Sequence, residues 1–100
     1  MRKFEIHLND EKIIADGIYT PEEVHNALDA AMESANIAKQ SEGVYVGKRT
    51  PQDTDQFISM YFFLFNKKWF MDYVDKWLSY HDGIVDNVIE DIKRVDMRNR

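Results

Sequence analysis

Hydrophobic and polar positions alternate near the start of the chain. Phe4, Ile6 and Leu8 stand between Lys3, Glu5 and His7, a period of two that predicts a half-buried strand. The segment LNDEK then reads as a turn and KIIADGIY as a returning strand, so an N-terminal β-hairpin is expected. At TPEEV the pattern changes. Thr20 stands where a helix cap belongs, Pro21 where the missing N–H costs nothing, and Glu23 where it completes a capping box. Val24, Leu28, Ala31, Ala35 and Ala38 follow at three- and four-residue spacing, which predicts a helix ending near Ser41 with Gly43 as its stop. GVYVGKR is short, β-branched and bounded by glycines, and reads as a third strand. Thr50, Pro51 and Asp53 then repeat much of the arrangement at Thr20.

Ten of the chain's thirteen aromatic residues fall between Phe57 and Tyr80, on a stretch whose spacing predicts helix. At about 100° per residue, Lys68, Asp72, Asp75, Lys76 and Ser79 lie on one side and Trp69, Tyr73, Val74, Trp77 and Tyr80 on the other. Carried backwards, the same wheel puts Phe57, Ile58, Tyr61, Leu64 and Phe65 on the side that later becomes polar. The apolar face turns over near Asn66 to Lys68, and a break or short turn is expected there. SYHDG reads as a polar turn with Asp82 as a cap, and Ile84, Val85, Val88, Ile89, Ile92 and Val95 describe a last amphipathic helix. The fold class expected is α+β: a hairpin, a helix and a third strand (ββαβ), then two or three amphipathic helices, one of them aromatic-rich. Residues 1–100 are expected to form a single small domain, without internal repeat or linker.

Composition narrows what such a domain does. The mixture of 44% hydrophobic and 31% charged residues belongs to globular chains. The net charge of −5 disfavours nonspecific binding to nucleic acid or anionic membrane, both polyanionic. The absence of cysteine excludes disulfides, thiolate metal sites and cysteine nucleophiles. MRKFEIHLND lacks the apolar run of a signal peptide, so a cytoplasmic location is expected. The longest apolar run, FISMYFFLF, is about half the roughly twenty residues a membrane span needs, and no membrane partner is expected.

The aromatic stretch then has three readings: core, interface and cofactor pocket. Aromatics supply the buried area a small domain needs, and they also dominate binding hot spots. Trp69, Phe70, Trp77 and Tyr80 are the candidate partner-binding residues, for another protein or for a second copy. No glycine-rich phosphate loop accompanies them, and no cofactor is expected. The basic pairs Lys48-Arg49, Lys67-Lys68 and Lys93-Arg94 could together contact phosphate, which keeps nucleic-acid binding as an alternative. Asp72 with Asp75, and Asp86 with Glu90, have the helical register of magnesium ligands in phosphohydrolases, and of plain solvated faces as well. His7, His25 and His81 have no metal-ligand spacing and read as surface residues. No catalytic residue stands out.

Taken together, KFEIHLNDEKI, YTPEEVHNALD and WFMDYVDKW resemble small uncharacterised proteins carried by conjugative and other mobile elements of Gram-positive bacteria. Trp69, Phe70 and Trp77 carry the resemblance. It implies a cytoplasmic, element-encoded accessory protein and assigns a role to no residue. The reading that results is a non-catalytic accessory or regulatory factor acting through protein–protein contacts. Nucleic-acid binding is the alternative, and a small metal-dependent hydrolase a further one.

Overall fold

The computed structural model describes residues 2–98. Strand β1, Lys3–Leu8, lies where the alternation places it, with Phe4, Ile6 and Leu8 buried. The expected second strand is instead a helix, α1, Asp10–Asp16. Asn9 caps it by accepting from the Lys12 N–H at 3.0 Å, and Gly17 closes it in the left-handed conformation. The adjacent β-branched Ile13 and Ile14 imitate a strand, but only Ile13 is buried, while Ile14 stays 65% exposed. Two capping residues eight positions apart outweigh the β-propensity between them.

Helix α2, Pro21–Ser34, starts as expected: the Glu23 N–H donates to Thr20 Oγ1 at 3.1 Å and the Thr20 N–H donates to Glu23 Oε1 at 2.9 Å. It stops earlier than expected. Asn36 takes a positive φ of 62°, and the chain leaves as strand β2, Ala38–Ser41, which turns through Glu42-Gly43 into β3, Val44–Val46. Gly43 therefore belongs to a hairpin, not to the helix end. A Cβ on it would meet the Ile6 carbonyl oxygen at 2.5 Å.

Helix α3, Asp53–Phe65, and a single turn, α4, Lys68–Met71, follow, so the break near Asn66 is real. Asn66 closes α3, its side-chain N–H donating to the Phe62 carbonyl at 2.7 Å. Beyond α4 the expected amphipathic helix is replaced by β4, Val74–His81. Asp82 and Gly83, with φ of 50° and 79°, form a tight hairpin turn into β5, Ile84–Asn87. Asp82 is thus a hairpin residue and not a cap. Only the end of the last expected helix is helical, as α5, Val88–Arg98, where Asn87 accepts from the Glu90 N–H at 3.3 Å.

The five strands form one antiparallel sheet in the order β2-β3-β1-β4-β5. β3 and β4 flank β1 and run parallel to each other with α3 between them in sequence, a split β-α-β arrangement of ferredoxin-like topology with β5 and α5 added. One sheet face carries the core. Phe4, Ile6, Leu8, Tyr45 and Trp77 meet Val24, Leu28 and Met32 of α2, Phe57, Met60 and Leu64 of α3, and Phe70 of α4. The other face carries Lys3, Glu5, Lys76 and Tyr80, laced across strands. The Tyr80 hydroxyl donates to Glu5 at 2.9 Å, Lys76 lies 3.4 Å from Glu5, and the Lys3 ammonium sits over the Tyr80 ring. No helix of the described residues is long and apolar enough to cross a membrane.

Candidate protein-contact face

The loop between β3 and α3 is tied down by one carboxylate. Asp53, 7% exposed, accepts from the Arg49 N–H at 2.8 Å, the Lys48 N–H at 3.3 Å and the Thr50 hydroxyl at 3.2 Å. Burial pushes its pKa up, but hydrogen bonds from the Thr50 hydroxyl and from the N–H groups of Arg49, Thr50 and Lys48 outweigh that and hold it below the usual range. The loop passes so close that a Cβ on Gly47 would lie 2.6 Å from Asp53 Oδ2 and 3.2 Å from the Phe57 ring. The second Thr-Pro segment therefore does not repeat the first. Thr50 serves Asp53, and the cap of α3 is Gln52, which makes no side-chain capping bond.

Anchored in this way, α3 presents two apolar faces. Phe57, Met60 and Leu64 turn inward, with the Phe57 ring 4.8 Å from that of Phe4. Ile58, Phe62, Phe63 and Phe65 turn outward, with exposures of 50, 57, 40 and 42%. Tyr61, between the two faces, stacks on Phe65 at 6.4 Å and meets Phe62 edge-on at 5.3 Å. The Lys67 ammonium lies 4.8 Å from the centre of the Phe63 ring. From Gln56 to Asn66 no residue is charged.

Clefts extend this face on both sides. One of about 310 Å³ runs between α3 and the sheet, with Phe4, Ile58, Tyr61 and Phe62 along it and Arg2, His81 and Asp86 at its rim. Another of about 80 Å³ lies between Tyr61 and Phe65 of α3 and Ile92 and Val95 of α5. Isolated exposed apolar residues are ordinary on protein surfaces. A set of large ones along an uncharged stretch of helix is the signature of a contact surface.

The four aromatics singled out in the sequence are placed differently. Phe70 and Trp77 are fully buried, at 0% exposure, and pack edge to face at 5.1 Å. They build the core and offer nothing to a partner. Trp69 is half-buried beside Phe70 and closes a small cleft with Tyr19, Val24 and Ala27. Tyr80 stands on the helix-free sheet face, bound to Glu5. That hydrogen bond raises the Tyr80 pKa and lowers that of Glu5. The surface residues were legible in one signal: α3 is apolar on more than one side, which is more than one buried face requires.

The other candidates are dispersed. Lys48 and Arg49 lie in the loop before α3, where the Lys48 ammonium donates to Asn36. Lys68 pairs with Asp72 within one helical turn at 3.0 Å, and Arg94 lies 3.5 Å from Asp91 on α5. The acids do not converge. Asp75 sits at a register shift of β4 and binds His7, Asp86 on β5 is 3.3 Å from His81, and Glu90 lies in the first turn of α5. Among the described residues no group of three or more His, Asp or Glu side chains is placed to hold a metal ion. His7 is exposed, as expected, whereas His25 and His81 are half-buried. His25 reaches Asp10 at 2.7 Å and Glu42 at 3.6 Å, and so joins α1, α2 and the β2–β3 turn. No protein family matches this chain, and no curated protein or solved structure matches it.

Proposed function

We propose that this protein is a non-catalytic accessory or regulatory factor that works by binding protein through the outer face of α3. One observation carries the reading: Ile58, Phe62 and Phe65, together with Phe63, stand exposed on the uncharged stretch of a helix whose inner face already fills the core. The helix is thus more apolar than its own fold requires, and the surplus is concentrated where a partner can cover it. The resemblance to mobile-element proteins fits a cytoplasmic accessory role. Nucleic-acid binding and metal-dependent hydrolysis draw no comparable support, because the basic pairs and the acids lie on separate elements and Lys68, Asp72, Asp86 and Arg94 are each engaged by a neighbouring side chain.

A photoreactive amino acid placed at Phe62, with a second version at the equally exposed Ile14 of α1 as control, tests the reading in living cells. Cross-linked species are expected from position 62 and few or none from position 14. Equal yields from both positions would sink the proposal.

A further inference from the structure

Resting on the protein-contact reading, we infer that the occupant of the α3 face is a second copy of this chain, packed as an antiparallel α3–α3 pair with a twofold axis beside Phe62. Charge placement on the helix selects this partner. Asp55 is exposed in the first turn, Lys67 and Lys68 follow the last, and every residue from Gln56 to Asn66 is uncharged. Two such helices laid antiparallel bring Asp55 of each copy beside the Lys67-Lys68 end of the other, at both ends of the contact. A parallel pairing would instead set acid on acid and base on base. The helix dipoles also oppose each other favourably only in the antiparallel arrangement.

The apolar residues obey the same register. A helix of thirteen residues is about 20 Å long. The alignment that matches Asp55 with the partner lysines sets Ile58 of one copy against Phe65 of the other, with Phe62 meeting its own counterpart at the axis. An isologous contact must be complementary to itself, and here charge and apolar pattern satisfy that demand with one alignment. Asp55 and Lys67 are the groups left for this pairing: among the described residues Asp55 has no cationic partner and Lys67 has only the Phe63 ring beneath it, whereas Lys68 is already paired with Asp72 at 3.0 Å. The overall charge of −5 would keep two copies apart unless local charge favoured their approach. The α3 face, neutral in its middle and bipolar at its ends, supplies that local preference.

The chain contains no cysteine, so Phe62→Cys introduces a single thiol. Under mild oxidation this variant is expected to form a covalent dimer readily, while Ile14→Cys, as exposed but on α1, does not. Light scattering of the purified wild-type chain is expected to show a monomer–dimer equilibrium. Asp55→Lys and Lys67→Asp should each raise its dissociation constant about tenfold, and the double reversal should restore it. A purified chain that stays monomeric at every concentration overturns the inference, as does a double reversal no tighter than either single one. If the dimer fails while cellular cross-links from position 62 reach other proteins, the contact reading stands and only its self-pairing falls. If those cross-links are missing as well, both fall.

Discussion

The aromatic stretch divides at Asn66 into two parts of similar composition and opposite fate. In the second part, Phe70, Tyr73 and Trp77 are buried almost completely, because a single helical turn and an interior strand offer them a covered side. In the first part, a three-turn helix lies on the sheet, and a helix on a surface can hide only one stripe. Phe57, Met60 and Leu64 take that stripe, and Ile58, Phe62, Phe63 and Phe65 are left outside. Residue type alone therefore says little about binding. What distinguishes a contact residue from a core residue here is the geometry of the element that carries it.

Substitutions on the two sides of Asn66 should differ sharply. Trp77→Ala removes a side chain held between Phe4, Tyr61 and Phe70, and should cost about 3–5 kcal/mol in denaturant unfolding. A loss below about 1 kcal/mol would mean that the second part is not core.

The seat of α3 gives an intermediate effect, visible in its pH dependence. The folded-state pKa of Asp53 is held below the ordinary carboxylate value, so the stability it contributes is fully present above its unfolded pKa, about 3.9. That contribution is lost as pH falls through the lower folded value. Asp53→Asn should lower the melting temperature at neutral pH, and the gap between variant and wild type should close on acidification. A gap that is constant with pH would assign the effect to shape, not charge.

The smallest effect belongs to the outer face. Phe62→Ser should change unfolding free energy by no more than about 0.5 kcal/mol, while abolishing the self-association that depends on that face. A large destabilisation would place Phe62 in the core and erase the contrast between the two parts.

Much of this was readable from local chemistry. Strand β1 announces itself by alternation, α2 by Thr20, Pro21 and Glu23, and the break after α3 by the reversal of the apolar side. What local chemistry misled about was the identity of short elements. Ile13-Ile14 looks like strand until Asn9 and Gly17 are weighed as caps. Trp77 looks helical because β4 is flanked by β1 and β5, so Leu78 and Tyr80 are half-buried on one face while Ser79 turns toward the core on the other, and a clean period of two is lost. The exposed set on α3 could be foreseen only as an excess. Which of its residues are covered depends on where β1 and β4 pass beneath the helix, and that is set by pairings distant along the chain.

The position of β1 has a consequence for how the chain is made. The strand comes first in the sequence yet occupies the middle of the sheet, bonded on one edge to β3 and on the other to β4, with Lys3 paired to Tyr80. Such distant pairings close slowly because the intervening chain must surrender its freedom before any contact rewards it. During synthesis, at about 5–20 residues per second, Phe4, Ile6 and Leu8 therefore wait several seconds with one edge open, until the last strands leave the ribosome. The segment most exposed to aggregation or chaperone capture in the nascent protein is the one that ends up best protected in the finished fold.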